Sequence, residues 1–276
     1  MDVRELKFMA NTIRRDIVEI GYKAGGPSHP GPALSITDIV TALYFEVMNV
    51  RADDPKWEDR DRLVLSKGHA CPVVYSALAE KGFFPKEWLM TIRHLDSKLQ
   101  GHPDMTKTPG IDMTAGSLGN GLGAALGMAF YLKHNGKQSR VFCILGDGEI
   151  QEGTVWEPVM AAPVLKMDNL IAIVDLNHLQ SCGSVPEIMH VPNMTKVWED
   201  FGWNVITING HNMEEILSAL EQAYEFEGKP TCIMANTVKG KGVSFMERDN
   251  SWHQKTLTEE EYNIAVAELE EERKCL

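Results

Sequence analysis

No stretch of this sequence approaches the roughly 20 consecutive apolar residues that a membrane-crossing helix requires, so no membrane association is expected. The N-terminus, MDVRELKFMANTIRRD, carries charge throughout and lacks the apolar centre of an export signal. Basic residues are the scarcer sign. There are 27 Lys and Arg against 39 Asp and Glu, a net charge of −12, and this argues against the clustered positive footprint that nucleic acid requires. Cysteine is sparse and odd in number: Cys71, Cys143, Cys182, Cys232 and Cys275, with no close pair at metal-ligand spacing. Cys143 and Cys232 lie inside apolar runs, where cysteine behaves as a small hydrophobe. All five are expected to be reduced, as in a cytoplasmic protein. Repeats, low-complexity tracts and linker-like shifts in composition are also missing. What remains is a chain of 276 residues, 43% hydrophobic, enough to bury a core. With no boundary in sight, a single domain over residues 1–276 is expected.

The first third reads mainly as helix. Leu6, Met9, Ile13, Ile17 and Ile20 recur at spacings of three and four within residues 3–22, and Gly25, Gly26 and Pro27 end that helix. Ser35 or Thr37 is positioned to cap a second helix carrying Ile36, Ile39, Val40, Leu43 and Tyr44. Leu63-Val64-Leu65 is too short for a helix and reads as a strand. From Gly116 onward the pattern alternates. A small-residue helix over 119–133 precedes the apolar run Val141–Leu145, and Leu170–Val174, Val205–Ile208, a helix over 213–226 and Cys232–Met234 follow. Strands that are apolar throughout and alternate with helices predict a parallel sheet covered by helices on both faces, an α/β fold. Pro158 and Pro163 fall in the helix expected after Gly153. An interior proline costs about 3 kcal/mol or more, so that helix starts late, kinks or divides into two pieces. Residues 258–273, rich in Glu, Leu and Ala, read as a solvated helix.

Open parallel sheets bind ligands beyond the carboxyl ends of their strands. After Leu145 comes Gly146-Asp147-Gly148-Glu149, and after Val174 comes Asp175-Leu176-Asn177-His178-Leu179. Asp147 and Asn177 are hard oxygen ligands 30 residues apart, the length of one βαβ unit, so their strands can be neighbours. Magnesium takes oxygen ligands in an octahedron and shares them with phosphates. One carboxylate, one amide oxygen, a backbone carbonyl and two diphosphate oxygens nearly fill that octahedron. The flanking glycines allow a phosphate to approach the backbone.

This spacing resembles the thiamine-diphosphate motif, and the stretches GDGEIQEGTVWE and NLIAIVDLNHLQ resemble transketolases in detail. SHPG at 28–31, DRDRLVLSKGHA at 59–70, GHP at 101–103, AGSLGNGLG at 115–123 and SWHQK at 251–255 agree in order. The resemblance spans nearly the whole chain. It implies thiamine diphosphate as cofactor, with Mg²⁺ (or Ca²⁺ or Mn²⁺) ligated by the side chains of Asp147 and Asn177 and the carbonyl of Leu179. It places Gly148, His69 and His253 at the diphosphate, and Gly116, Ser117 and Leu118 along the cofactor. His29, His102 and His253 become the catalytic histidines of the substrate channel, accepting and returning a proton or stabilising oxyanions, with the division of roles open. Glu152 and Glu157 match acidic positions that help couple two active sites through a dimer interface, and Glu152 also belongs to the cofactor surround. His134, His178, His190 and His211 are expected to be structural.

Two local departures stand out. The family reads GGHPG or SGHPG near its start where this chain has AGGPSHPGPAL, so Pro27-Ser28 alters the approach to His29. Leu176 occupies a position where relatives often carry a polar residue. The larger departure is length. Transketolases continue into a pyrimidine-binding domain, which supplies the glutamate that activates the cofactor, and then into a C-terminal domain; neither is found here. The resemblance therefore implies the N-terminal subunit of a split transketolase, completed by a C-terminal partner subunit, as a heterotetramer whose interface draws on the apolar helices of the first third. The expected reaction is transfer of a two-carbon ketol unit from a ketose phosphate to an aldose phosphate. The alternatives are a related thiamine-diphosphate enzyme acting on an unusual sugar or an oxo acid, or a non-catalytic cofactor-binding subunit.

Overall fold

The computed structural model describes all 276 residues. Five strands form one sheet, all parallel, in the order β1-β2-β3-β5-β4. They are β1 (Arg62–Leu65), β2 (Val141–Gly146), β3 (Leu170–Leu176), β4 (Asn204–Asn209) and β5 (Thr231–Asn236). Side chains alternate across a pleated strand. Phe142, Ile144, Ile171, Ile173 and Ile233 accordingly face one buried layer, and Val141, Cys143, Leu145, Leu170, Ala172 and Val174 face the other. Burial on both faces is why these strands read as unbroken apolar runs.

The first layer is built from α1 (Val3–Lys23), α2 (Pro30–Leu34), α3 (Thr37–Ala42), α4 (Cys71–Glu80), α9 (Met213–Glu225) and α10 (Glu259–Cys275). The second contains α5 (Asn120–His134), α6 (Gly153–Val164) and α8 (Met194–Asp200); the short α7 (Val185–Ile188) follows β3. The start of α1 is set by a capping box. Asp2 Oδ1 accepts from the Glu5 amide at 2.8 Å and Glu5 Oε2 accepts from the Asp2 amide at 2.8 Å. Its apolar stripe then packs inward, with Leu6, Ile13, Ile17 and Ile20 fully buried.

Three expectations are corrected. The second helix is shorter as an α-helix than expected: α3 covers only Thr37–Ala42 and passes into a π-turn at Leu43–Val47, with the separate short α2 before it. Neither Ser35 nor Thr37 caps it, because the Ser35 hydroxyl donates inward to Asp175 Oδ2 at 2.7 Å and the Thr37 hydroxyl to the Ala33 carbonyl at 3.1 Å. The helix after Gly153 is one piece that runs through both prolines. Pro163 cannot donate to the Val159 carbonyl four residues back, and that carbonyl instead accepts from Trp203 Nε1 at 2.8 Å. The C-terminal helix is not solvated all round, since Ala265 and Leu269 are buried against α1.

Candidate active site

Four strands deliver their carboxyl ends to one cavity of about 370 Å³. From β1 come Lys67 and His69, and from β2 Gly146, Asp147, Gly148 and Glu149. β3 is followed by Asn177, Leu179, Gln180 and Ser181, and β5 by Lys239. Loops outside the sheet add His29, His102, Gly116, Leu118, Glu152 and His253. Of the residues singled out in the sequence, only Ser117 and Glu157 lie outside this lining, and both are exposed.

Three imidazoles meet at the cavity. Ring centroids lie 5.3 Å apart for His29 and His69, 5.6 Å for His29 and His253, and 5.1 Å for His69 and His253. The segments carrying His29 and His253 are stitched together by two backbone bonds, Ser28 N–H to the Lys255 carbonyl at 3.3 Å and Lys255 N–H to the Ser28 carbonyl at 3.1 Å. Gly31 makes this approach possible, because a Cβ there would stand 2.8 Å from the Trp252 carbonyl oxygen. Pro27 and Ser28 therefore leave His29 facing its two partners. Burial, reinforced by the cationic forms of His253 and neighbouring Arg93, His102 and Lys239, pushes His29 down to about 3. Burial and then Lys239 push His253 down to about 4, and burial with Lys67 holds His69 well below its ordinary value. Near neutral pH all three are neutral imidazoles, able to accept a proton or donate one hydrogen bond.

Below the histidines lies the oxygen-rich end. β2 and β3 are neighbours, with Gly146 paired in register to Asp175, which sets Asp147 and Asn177 side by side. The Asp147 carboxylate is 3% exposed and accepts only from two backbone amides, His178 N at 2.5 Å and Gly148 N at 2.8 Å. Burial, and then the charge of Asp175, push it up to about 7. His178 takes part through its backbone, at φ 64°, which agrees with a structural role. A Cβ on Gly148 would stand 2.9 Å from Gln180 Cγ, so this turn accepts only glycine without displacing the cavity wall. Glu149 is a clamp rather than a ligand. It accepts from Ser66 Oγ, the Gly119 amide at 2.9 Å and the Gly146 amide at 3.0 Å, tying together the ends of β1 and β2 and the start of α5.

Sequence reading passed over two lysines. Lys67 is 2% exposed and lies 2.5 Å from Asp175 Oδ2, a buried ion pair. Lys239 is 1% exposed and has no carboxylate partner. Its ammonium donates only to neutral acceptors: the Leu179 and Gln180 carbonyls at 3.4 and 3.2 Å, Asn250 Oδ1 at 3.0 Å and His253 Nδ1 at 3.0 Å. Burial and then the charge of Lys67 push it down to about 8. One cavity thus holds a buried carboxylate lacking a cation and a buried ammonium lacking an anion, and the two form no ion pair with each other. A divalent cation carrying a diphosphate fits both needs. No group of three or more His, Cys, Asp or Glu is arranged to hold a metal ion.

Comparison with known proteins agrees with this geometry. The family model described as "Transketolase, thiamine diphosphate binding domain" matches residues 6–272. The chain is 46% identical over 269 residues to the 6-deoxy-6-sulfo-D-fructose transketolase subunit of a Clostridium species, covering 97% of each chain. It is 40% identical over 271 residues to an apulose-4-phosphate transketolase subunit of Phocaeicola vulgatus, covering 98% of this chain and 96% of the relative. Mouse transketolase is 42% identical over 256 residues, which are 92% of this chain and 40% of that protein. Among solved structures, Campylobacter jejuni transketolase superposes with a TM-score of 0.91 at 33% identity, over 99% of this chain and 43% of the other. The chain therefore has the length of the two subunits and about two fifths of the length of the mouse and Campylobacter enzymes.

Proposed function

The chain belongs to the transketolase family through its thiamine-diphosphate-binding domain, and from that premise we propose that it is the diphosphate-binding subunit of a split transketolase. The observation that carries the reading is the pair of buried ionisable groups without ionic partners, the Asp147 carboxyl and the Lys239 amine, in one cavity beneath three neutral histidines. Asp147, Asn177 and the Leu179 carbonyl hold Mg²⁺, or Ca²⁺ or Mn²⁺ in its place, while Lys239, His69 and the Gly148 backbone face the diphosphate. The cofactor, when bound, supplies a carbon nucleophile and an electron sink for making and breaking a carbon–carbon bond beside a carbonyl. His29 and His253, kept neutral by burial, take a proton from a ketose hydroxyl and return it to the acceptor aldehyde. His102, whose ring lies beside Gly116, orients the substrate.

The remaining residues of a full transketolase would come from a partner subunit, assembled with this chain as a heterotetramer. The apolar helices of the first third bury their stripes in this chain's own core. The interface is better supported by α5 and α6, where Phe130, Tyr131, Met160, Val164 and Leu165 are exposed and Val164 is 81% accessible. Glu152 and Glu157, at the start of α6, are suited to coupling two sites across such an interface. No helix is long and apolar enough to cross a membrane, and reduced cysteines favour a cytoplasmic setting.

The substrate is a ketose paired with an aldose acceptor. The two subunit relatives of matching length are named for 6-deoxy-6-sulfo-D-fructose and apulose 4-phosphate, which favours a donor other than the common pentose phosphates. The test is ketol transfer with thiamine diphosphate and magnesium, using xylulose 5-phosphate, 6-deoxy-6-sulfofructose and apulose 4-phosphate as donors. The chain is assayed alone and with its partner. Transfer only in the mixture is the expected result. Tight cofactor binding with no transfer from any ketose would refute the transketolase reading in favour of an oxo-acid enzyme or a non-catalytic subunit.

A further inference from the structure

Asp175 reaches both residues whose side chains ligate the proposed cation, Asp147 and Asn177, and its own carboxylate does not line the cavity. Its backbone carbonyl accepts from the Asp147 amide at 3.2 Å. Its carboxylate, fully buried, accepts at Oδ2 from Asn177 Nδ2 at 2.6 Å, Lys67 Nζ at 2.5 Å and Ser35 Oγ at 2.7 Å, and at Oδ1 from the Thr237 hydroxyl. Every hydrogen bond on that carboxylate is one it receives.

Resting on the cofactor reading above, we infer that Asp175 is a positioning residue that sets the direction of the Asn177 amide, so that the amide oxygen and never its N–H₂ is offered to the cation. An amide has two chemically different ends of nearly the same shape, and either end fits the same space. An ionised carboxylate accepts and cannot donate. Facing Asp175, the Asn177 amide must present its nitrogen, because the flipped form would set two oxygens against each other. That leaves Oδ1 on the opposite side, where it accepts from the Leu179 amide at 3.0 Å and keeps a second lone pair for the cavity. The Leu179 amide bond reinforces the same orientation, since it too requires an oxygen. A neutral amide at position 175 would lack this power, because it could turn either end toward Asn177.

This accounts for burying a carboxylate at the end of a central strand, an arrangement that is costly without a cation. Lys67 meets that need from the neighbouring loop, and Ser35 and Thr237 fill the remaining lone pairs. The ion pair of Lys67 and Asp175 therefore serves the ligand beside it. Outer partners of metal ligands commonly govern affinity by about 10- to 100-fold.

The test exchanges the polarity of the pair. Mn²⁺ binding is measured by electron paramagnetic resonance with saturating thiamine diphosphate, on the chain assembled with its partner subunit. Asn177→Asp supplies a carboxylate, ordinarily the better ligand for a divalent cation, but aims it at the carboxylate of Asp175. The expected result is an affinity at least tenfold weaker than wild type. In the double variant Asp175→Asn/Asn177→Asp, the amide at 175 donates to the carboxylate at 177, and affinity returns to within about threefold of wild type. Tighter or unchanged Mn²⁺ binding by Asn177→Asp overturns the inference, as does a double variant weaker than either single one. Position 177 lies on a half-buried loop, so the single variant decides the matter even if the double variant fails to fold. Wild-type protein that binds no Mn²⁺ with the cofactor overturns the proposed function itself.

Discussion

Replacing Lys239 with methionine should move apo stability and cofactor affinity in opposite directions. The ammonium is 1% exposed, with four neutral acceptors and no carboxylate. Its fall from 10.5 to about 8 corresponds to roughly 3 kcal/mol against the charged form, at about 1.4 kcal/mol per tenfold. Methionine fills a similar volume and removes that cost. The carbonyls of Leu179 and Gln180 lose a donor, but they line a cavity open to water, which restores most of their bonding. The apo melting temperature should therefore hold or rise. A diphosphate beside Lys239 relieves the same buried charge, so its loss should weaken thiamine diphosphate by about 2–3 kcal/mol, roughly 30- to 150-fold. Differential scanning fluorimetry of the apo chain and calorimetric titration of cofactor into the assembled complex read the two effects separately. A lower melting temperature with unchanged cofactor affinity would show that Lys239 is only a brace between the loops after β3 and β5, and the electrostatic argument would fail.

Two further outcomes follow from the same structure. His29, His69 and His253 are neutral in the fold but titrate near 6.5 when unfolded. Between pH 6.5 and about 4 these histidines bind up to three protons in the unfolded chain that they refuse in the fold, so their contribution to stability rises with pH across that window and is lost as pH falls through it. Asp147 and Asp16, pushed up to about 7, take up protons in the fold and oppose this, so the measurement is a difference: from pH 7 to pH 5 the wild-type urea midpoint should fall relative to that of a variant with all three histidines replaced by glutamine, and an equal slope in the variant would place the acid sensitivity elsewhere. Trp203→Phe should cost about 1–3 kcal/mol by leaving the Val159 carbonyl without a donor. Pro163→Ala in that background should restore much of it through a new helical N–H, and a simple sum of the two single effects would contradict the pairing.

The sheet and most helices were legible because their signals are local. β2, β3 and β5 are buried on both faces, so their sequences are apolar throughout, and the rule that sites lie beyond strand ends led to Asp147 and Asn177. The same rule applied after Asn236 leads to Lys239, which a motif search passes over because a single lysine has no pattern. Asp175 was legible as a neighbour of Asn177 but not as its holder, since Lys67 and Ser35 stand 108 and 140 residues away. Continuity of α6 was hidden for the same reason. Proline breaks the local ladder, and the group that repairs it, Trp203, lies 44 residues from Val159. The cap of the second helix was not legible because Ser35 is held by Asp175 across the fold and Thr37 by the Ala33 carbonyl, so neither hydroxyl is free to cap.

The cavity's lining carries a last consequence. Of its 19 residues only Leu118 and Leu179 are hydrophobic, and the rest are charged, polar, glycine or proline. Sites that hold a flat heterocycle are walled mostly by apolar and aromatic side chains. This chain supplies polar and charged groups suited to a cation and a diphosphate but almost no wall for an aromatic ring, so under the proposed function most of the ring's binding energy comes from the partner subunit. The isolated chain should bind Mg²⁺–diphosphate nearly as well as Mg²⁺–thiamine diphosphate, with a ratio of dissociation constants near one. With the partner present that ratio should grow by two orders of magnitude or more, because burial of a heterocycle and its linker is worth a few kcal/mol at about 25 cal/mol per Å². Competition titrations with inorganic diphosphate measure the ratio directly. An isolated chain that already prefers the thiamine form by more than about thirtyfold would mean that its two leucines and the histidine rings suffice as a wall, and the partner's part in the site would shrink to activation alone.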